Sequence, residues 1–391
     1  MPKPTSQMHI YIVKVTGYAS TGEGVARLDD GRVAFIRNAA RGDVLEIKLT
    51  KEQPRSAHAE IVRILEPSPY RIEPDCQYYS KCGGCNFRHI AYEEELEAKL
   101  LRVNDAIRRI GGLSACACEI IRTGQINGYR NKAVFHFDGT SWGFFRAESH
   151  EIIHIDHCLL LKDDLNAAIK CMTLGVDIQK NDKDGEITLR SGWKGLSKPI
   201  EEKLDDLVFQ ISGFFQINTG AALLLYQKAR EYAAMTKNET LIDLYCGVGS
   251  LTLFIGRDAG KALGVELNPE AIKAARANAQ QNDLSYIEFI AADVAKWKTK
   301  IQNPDCIVVD PPRAGLSPGA IEKLLTLSPK RIVYVSCDPA TLARDLRMLK
   351  DYVVKDICAV DMFPRTANVE CCCLLLRNDD QCKLYPQRKQ T

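Results

Sequence analysis

The chain has no apolar run long enough to cross a bilayer as a helix, and no signal-like apolar segment follows its opening Met1-Pro2-Lys3-Pro4-Thr5-Ser6. A membrane-spanning or exported protein is therefore not expected, and the cytoplasm is the expected compartment. Charge of one sign is also missing: 52 Lys and Arg face 50 Asp and Glu, leaving +2 at pH 7. That balance neither demands nor excludes a nucleic-acid partner, and any basic surface must be local. Cysteine, in contrast, is plentiful. Fifteen thiols in a reducing compartment point to metal, catalysis or burial rather than to a disulfide framework. With 46% hydrophobic and 26% charged residues the composition is that of a soluble globular protein, and 391 residues are enough for two or three domains.

Residues 1–66 read as a first domain. Short β-rich runs, Ile10 to Val15, Gly31 to Ile36 and Asp43 to Leu49, alternate with turns, which suggests a small closed barrel. Between the first two runs lies a glycine-rich loop, Gly17-Tyr18-Ala19-Ser20-Thr21-Gly22-Glu23-Gly24-Val25-Ala26-Arg27. The segment resembles the TRAM module, an OB-like RNA-binding barrel found in several RNA-modifying enzymes, although hairpin glycines also serve plain turn chemistry.

Pro67-Ser68-Pro69 is a plausible linker into a central α+β domain spanning 67–205. There Cys76, Cys82 and Cys85 are spaced C-x5-C-x2-C, with Gly83 and Gly84 letting the backbone fold tightly around a metal. A fourth ligand must come from elsewhere; Cys158 is the first choice, and Cys116 and Cys118 are rivals beyond a predicted amphipathic helix over 93–110. The spacing leaves zinc, an iron–sulfur cluster and a reactive redox pair open. Farther on, Arg130, Lys132, Phe145 and Arg146 belong to two runs that interleave cations with aromatics, a combination that stacks on unpaired bases while holding phosphates. An amphipathic hairpin with its charges in water reads equally well.

From 206 to 391 the pattern becomes α/β. Strands are expected to begin near Leu241, Ala262, Ile287, Cys306, Arg331, Tyr352 and Val369, with helices such as Pro269 to Gln281 between them. The last two are joined by too short a loop for a crossover and should pair antiparallel, giving a seven-stranded, Rossmann-like sheet of the class I methyltransferase layout. Asp243-Leu244-Tyr245-Cys246-Gly247-Val248-Gly249-Ser250 is a strand-to-helix glycine loop, but Thr252 stands where a dinucleotide site would want glycine. Glu266 and Asp293, at the next two strand ends, suit a ribose and an adenine. The ordered set fits S-adenosylmethionine better than a phosphate-bearing cofactor. Asp310-Pro311-Pro312-Arg313 follows the fourth strand; Arg313 in place of an aromatic argues against amine methylation. Cys337 ends the apolar run Arg331 to Ser336, before Asp338 and Pro339, which read as a helix cap and first turn. A helix dipole there helps a thiolate while Asp338 opposes it; the ordinary alternative is a buried core cysteine.

Taken together, Cys76, Cys82-Gly83-Gly84-Cys85 and Cys158, Phe214-Phe215-Gln216-Ile217-Asn218, the Asp243 to Gly249 loop, Asp310-Pro311-Pro312-Arg313-Ala314-Gly315 and Ser336-Cys337-Asp338-Pro339 resemble the RNA uridine-5-methyltransferase family, in its iron–sulfur, TRAM-containing branch. The resemblance implies S-adenosyl-L-methionine as cofactor, lined by Gln216, Tyr245, Gly247, Gly249, Ser250, Glu266, Asp293 and Asp310. It implies a [4Fe-4S] cluster on Cys76, Cys82, Cys85 and Cys158, Cys337 as nucleophile toward uracil C6, and Glu370 as the proton-abstracting base. Two positions depart from the family pattern: Asn368 stands where histidine is usual, and Ser250 where asparagine is common. The implied partner of this expected monomer is structured RNA, 23S ribosomal RNA ahead of the transfer-RNA T-loop. Other classes make different demands. A radical enzyme would show C-x3-C-x2-C, and a non-catalytic RNA-binding or assembly protein has no need of Asp310, Cys337 and Glu370 at three strand ends.

Overall fold

The computed structural model describes residues 9–114, 117, 119–173 and 185–378; Cys116 and Cys118 lie outside them. The chain forms two compact units, one of Met1–Lys99, His136–Ile155 and Phe363–Asn368, the other of Leu100–Phe135, Asp156–Met362 and Val369–Thr391.

In the first unit, strands β1 (Ile10–Tyr18), β2 (Gly24–Arg27), β3 (Val33–Ile36), β4 (Val44–Glu52) and β5 (Ser56–Glu66) close into a barrel in the order β1-β2-β3-β5-β4. Alternation turns Val13, Val15, Ala26, Ala34, Ile36, Leu45, Ile47 and Ala57 inward, and the small alanines let so short a barrel fill. The glycine-rich stretch after β1 supplies a strand as well as a loop. Gly22 turns the chain at φ +89°, and a Cβ on Gly24 would fall 2.7 Å from that of Ala39.

Helix α1 (Tyr92–Arg109) is followed by β6 (Glu119–Ile121), β7 (Lys132–Phe137), β8 (Trp142–Phe145), β9 (Ile152–His154), α2 (Asp163–Thr173), β10 (Glu186–Arg190), β11 (Glu201–Leu204), β12 (Leu207–Gln210) and α3 (Thr219–Ala233). The α/β series then runs β13 (Thr240–Leu244), α4 (Ser250–Gly256), β14 (Lys261–Glu266), α5 (Pro269–Gln281), β15 (Glu288–Ala291), β16 (Cys306–Val309), α6 (Pro318–Leu327), β17 (Arg331–Ser336), α7 (Pro339–Met348), β18 (Tyr352–Val360) and β19 (Glu370–Arg377).

Their sheet, in the second unit, has eight strands in the order β15-β14-β13-β16-β17-β19-β18-β6, which corrects the expected seven. β13 to β17 pair in parallel, and β18 and β19 form the antiparallel closing pair. The additional strand is β6, which pairs in parallel with β18 through Cys358↔Glu119 and Val360↔Ile121. Three residues of β6 carry too little periodicity to read as a strand; only the edge offered by β18 makes them one. Ile242, Leu244, Ile307, Val309, Ile332 and Tyr334 form one buried face with Val103, Ala106 and Ile107 of α1 and Leu342, Ala343 and Leu346 of α7.

Candidate active site

Parallel strands ending together leave their carboxyl ends as a row of loops, the place where an open α/β sheet binds ligands. β13 delivers Asp243 and the loop Tyr245 to Gly249, in which Tyr245 takes φ +70°, Gly247 +54° and Gly249 +81°. A Cβ on Gly249 would lie 2.9 Å from the Phe289 ring, so the loop is pressed against β15. Gly247 N–H donates to Glu266 Oε2 at 3.3 Å, and Glu266 Oε1 accepts from Asn268 N–H at 2.9 Å. The Tyr245 phenol is raised by burial and then by the carboxylates of Asp293, Asp345 and Glu266, so Tyr245, Asp293 and Glu266 lie near one another. Asp293 lies two residues past β15, its Oδ1 accepting from Ala295 N–H at 2.9 Å.

Gln216 is buried in the segment ahead of α3. Buried Asn131 holds that segment, its Nδ2 donating to the Gln216 carbonyl at 3.1 Å and to Glu202 Oε1 at 2.9 Å, while Asn218 caps α3 and donates to the Met362 carbonyl at 3.0 Å. In the same segment Phe215 is buried and Phe214 is 74% exposed. Ser250 is already engaged: its hydroxyl lies 2.9 Å from that of Tyr226 in a buried pair.

At the next strand ends stand Asp310, after β16, and Cys337, after β17. Ser336 pairs with Cys371 and Val360 with Glu370, so the antiparallel β19 begins with Glu370 where β17 ends and Cys337 follows. Burial pushes Asp310 up to about 7. Glu370 is pushed well above the carboxylate range by burial, then by the Asp310 charge, against the opposing Arg313 guanidinium. The Cys337 thiol is pushed up to about 11 by burial, with the Glu370 and Asp310 charges adding and Arg313 again opposing. These four side chains form one electrostatic group.

At Cys337 burial and the neighbouring carboxylates outweigh any help from the start of α7. Asp338 itself takes the first N–H groups of α7, its Oδ1 accepting from Ala340 and Thr341 at 2.9 Å each, so the helix end is satisfied by the cap. Sequence reasoning also passed over Asp243 as a functional group. It is buried, accepts from Thr252 Oγ1 at 2.5 Å, and burial pushes it up to about 8. Thr252, which counted against a dinucleotide loop, is the group that holds this acid. Arg102 of α1 was missed too, and no motif signals it; its Nη2 lies 3.5 Å from Asp338 Oδ2.

The remaining selected residues divide between the units. Cys76, Cys82 and Cys85 lie in the first and Cys158 in the second. Gly84 N–H donates to Cys82 Sγ and Arg88 Nε to Cys85 Sγ, each at 3.4 Å, donors suited to thiolates that hold a thiophilic group. Among the described residues no three His, Cys, Asp or Glu side chains are arranged to hold a metal ion. Arg130 and Lys132 lie in the second unit, Phe145 and Arg146 in the first. Phe145 stacks on His136 at 3.8 Å and Arg146 is forked onto Glu151 at 2.6 and 2.9 Å. Among the described residues no helix is long and apolar enough to cross a membrane.

The chain is 32% identical to an uncharacterized RNA methyltransferase of Clostridium acetobutylicum, over 96% of this chain and 99% of that protein. It is 30% identical to one of Synechocystis, over 92% and 94% respectively. Among solved structures it resembles the Pyrococcus abyssi tRNA (uracil-54, C5)-methyltransferase in complex with S-adenosyl-L-homocysteine, with a TM-score of 0.74 and 26% identity over 93% of this chain and 100% of that one. Residues 8–62 match the TRAM domain. Residues 156–378, which carry the glycine loop, Asp310, Cys337 and Glu370, match the tRNA (Uracil-5-)-methyltransferase family, and the chain belongs to that family.

Proposed function

We propose that this RNA (uracil-5-)-methyltransferase moves the methyl group of S-adenosylmethionine to uracil C5 through a covalent bond from Cys337 to C6. The observation that carries the reading is the antiparallel pairing of β17 with β19, which brings Cys337 and Glu370 to one end of the sheet beside Asp310. Uracil C5 is a poor nucleophile until a thiolate adds at C6. The Cys337 sulfur forms that bond as the C5–C6 π pair moves toward O4, and C5 then takes the methyl group while the sulfonium's S–CH3 bond breaks. Glu370, which must enter this step as the carboxylate and whose raised proton affinity makes it the stronger base, next accepts the C5 proton; the C5–C6 double bond re-forms and Cys337 leaves as thiolate. Tyr245, Gly247, Gly249, Ser250, Gln216, Glu266 and Asp293 would line the cofactor, and Asp310 would face both cofactor and base. Reaching C6 requires the uridine to leave its stack, at a cost of roughly a few kcal/mol, which Arg130, Lys132, Phe145 and Arg146 would help offset.

Cys337→Ala should abolish methyl transfer to RNA, and retained turnover overturns the mechanism. Glu370→Gln should accumulate a protein–RNA adduct that survives denaturing electrophoresis; full activity without an adduct removes the base assignment.

The reading takes 23S ribosomal RNA as substrate for a cytoplasmic monomer of three modules, 1–66, 67–205 and 206–391, because a TRAM domain and a C-x5-C-x2-C motif occur together. The likeness to the Pyrococcus enzyme favours a second substrate, a transfer-RNA uridine. Mapping 5-methyluridine in total RNA with and without the gene separates them. Cys76, Cys82, Cys85 and Cys158 would hold a [4Fe-4S] cluster. Anaerobic protein should then carry iron and acid-labile sulfide that Cys82→Ser removes, whereas stoichiometric zinc would replace the cluster in this reading.

A further inference from the structure

Cys337 is flanked by a carboxylate that no step above uses. Asp338 is held from two sides: its Oδ1 caps α7 through Ala340 and Thr341, and its N–H donates to Ser336 Oγ at 3.2 Å. Its second oxygen, Oδ2, is turned to Arg102, which reaches it from α1, far away in sequence. That approach is built into the fold. Val103, Ala106 and Ile107, on the turns after Arg102, are buried in the same core as Leu342, Ala343 and Leu346 of α7, and a Cβ on Gly111 would lie 3.3 Å from the Ala343 carbonyl.

The charge around the thiol shows what the pair can do. Glu370 on β19 and Asp310 and Arg313 after β16 act on the thiol, Arg102 on α1 feels the charges of both Asp338 and Cys337, and Asp338 adjoins Cys337 in the chain as the cap of α7. Burial favours the neutral forms of Glu370 and Asp310. Asp338 lies within one residue of the sulfur, and a fixed carboxylate there works against a thiolate unless a cation offsets it.

We propose that Arg102 is a positioning residue for Cys337: its guanidinium holds and offsets the Asp338 carboxylate, so that the group flanking the nucleophile neither swings toward the sulfur nor faces it with uncompensated charge. This rests on Cys337 being the nucleophile, and it places a determinant of nucleophile reactivity outside residues 156–378, on a helix that precedes the matched methyltransferase region.

The test follows alkylation of Cys337 by iodoacetamide against pH in the full-length protein, read on the Cys337 peptide by mass spectrometry, so that the other thiols do not interfere. Arg102→Gln should move the midpoint upward by about half a pH unit or more, about threefold less thiolate at any pH below it. Arg102→Lys should keep the wild-type midpoint. Asparagine caps a helix as well as aspartate does, so Asp338→Asn leaves α7 intact and, in the Arg102→Gln background, should bring the midpoint back. An unchanged midpoint in a folded Arg102→Gln protein overturns the proposal, and so does a double variant still shifted as far as the single one. Methyl transfer by Cys337→Ala would overturn the nucleophile assignment instead, a separate result, since the alkylation profile needs neither RNA nor turnover.

Discussion

Asp243 sits at the carboxyl end of β13 with Thr252 Oγ1 donating to one carboxyl oxygen and no hydrogen-bond partner among the described residues for the other. Burial moves it from 3.8 up to about 8, so the fold prefers the protonated acid. The linkage sign follows. A folded pKa raised above the unfolded one gives stability that is complete below pH 3.8 and is lost as pH rises through about 8. Asp310, raised to about 7, and Glu370 act in the same direction. Wild-type stability should therefore fall between pH 5 and 8, with Asp243 contributing a slope of up to about 1.4 kcal/mol per pH unit. Asp243→Asn keeps the acceptor for Thr252 and should flatten that fall, as denaturant titrations across the pH range would record; an identical slope in the variant excludes Asp243 as the source.

The elements around the site are limited by how closely backbone can approach backbone or ring. Gly249 precedes α4 in the left-handed region, with Phe289 and Ala275 about to collide with any Cβ at 2.9 and 3.0 Å. Gly31, in the β2–β3 turn, has a similar φ of +86°, and nothing lies within 4 Å of where a methyl group would point. The pair separates two costs. Gly31→Ala should lose only the backbone strain, about 1–2 kcal/mol, whereas Gly249→Ala adds overpacking of about 1–3 kcal/mol and should weaken S-adenosylhomocysteine binding as well. Thermal denaturation of both variants, with calorimetric titration of the second, measures the difference; equal losses would mean that Phe289 yields freely. Helix starts are more local. Asn268, Ser317 and Asp338 each cap a helix whose next residue is proline, a signature visible in the chain before any fold is known.

On the scale of the whole molecule, the barrel and the α/β unit each close a core of their own, one built on Val15, Ile36, Leu45 and Ile47 and the other on the sheet between its helices. Separate cores make more than one unfolding transition the expectation. S-adenosylhomocysteine at about a hundred times its dissociation constant should stabilise the unit that binds it by about 2.7 kcal/mol, raising that transition by several degrees. The barrel's transition should stay where it is. Scanning calorimetry distinguishes this from a uniform shift, which would mean that the units unfold together, and from no shift, which would remove the cofactor site.

Signals confined to neighbouring residues were legible in the sequence alone: the short β-rich runs of the barrel, the helical stretch from Pro269 to Gln281, the cap-and-proline start of α7, the glycine loop after β13, the antiparallel closing hairpin, and the motif residues at the strand ends. Each depends on positions a few residues apart, which is the range over which backbone preference and periodicity act. Tertiary structure alone decided the rest. β6 became a strand because β18 offered it an edge. Asp243, Asp310, Cys337 and Glu370 acquired shifted acidities because burial and through-space charge depend on what surrounds a group, not on what adjoins it in sequence. Arg102 reached Asp338 across 236 residues, a contact that exists only because α1 and α7 share one core.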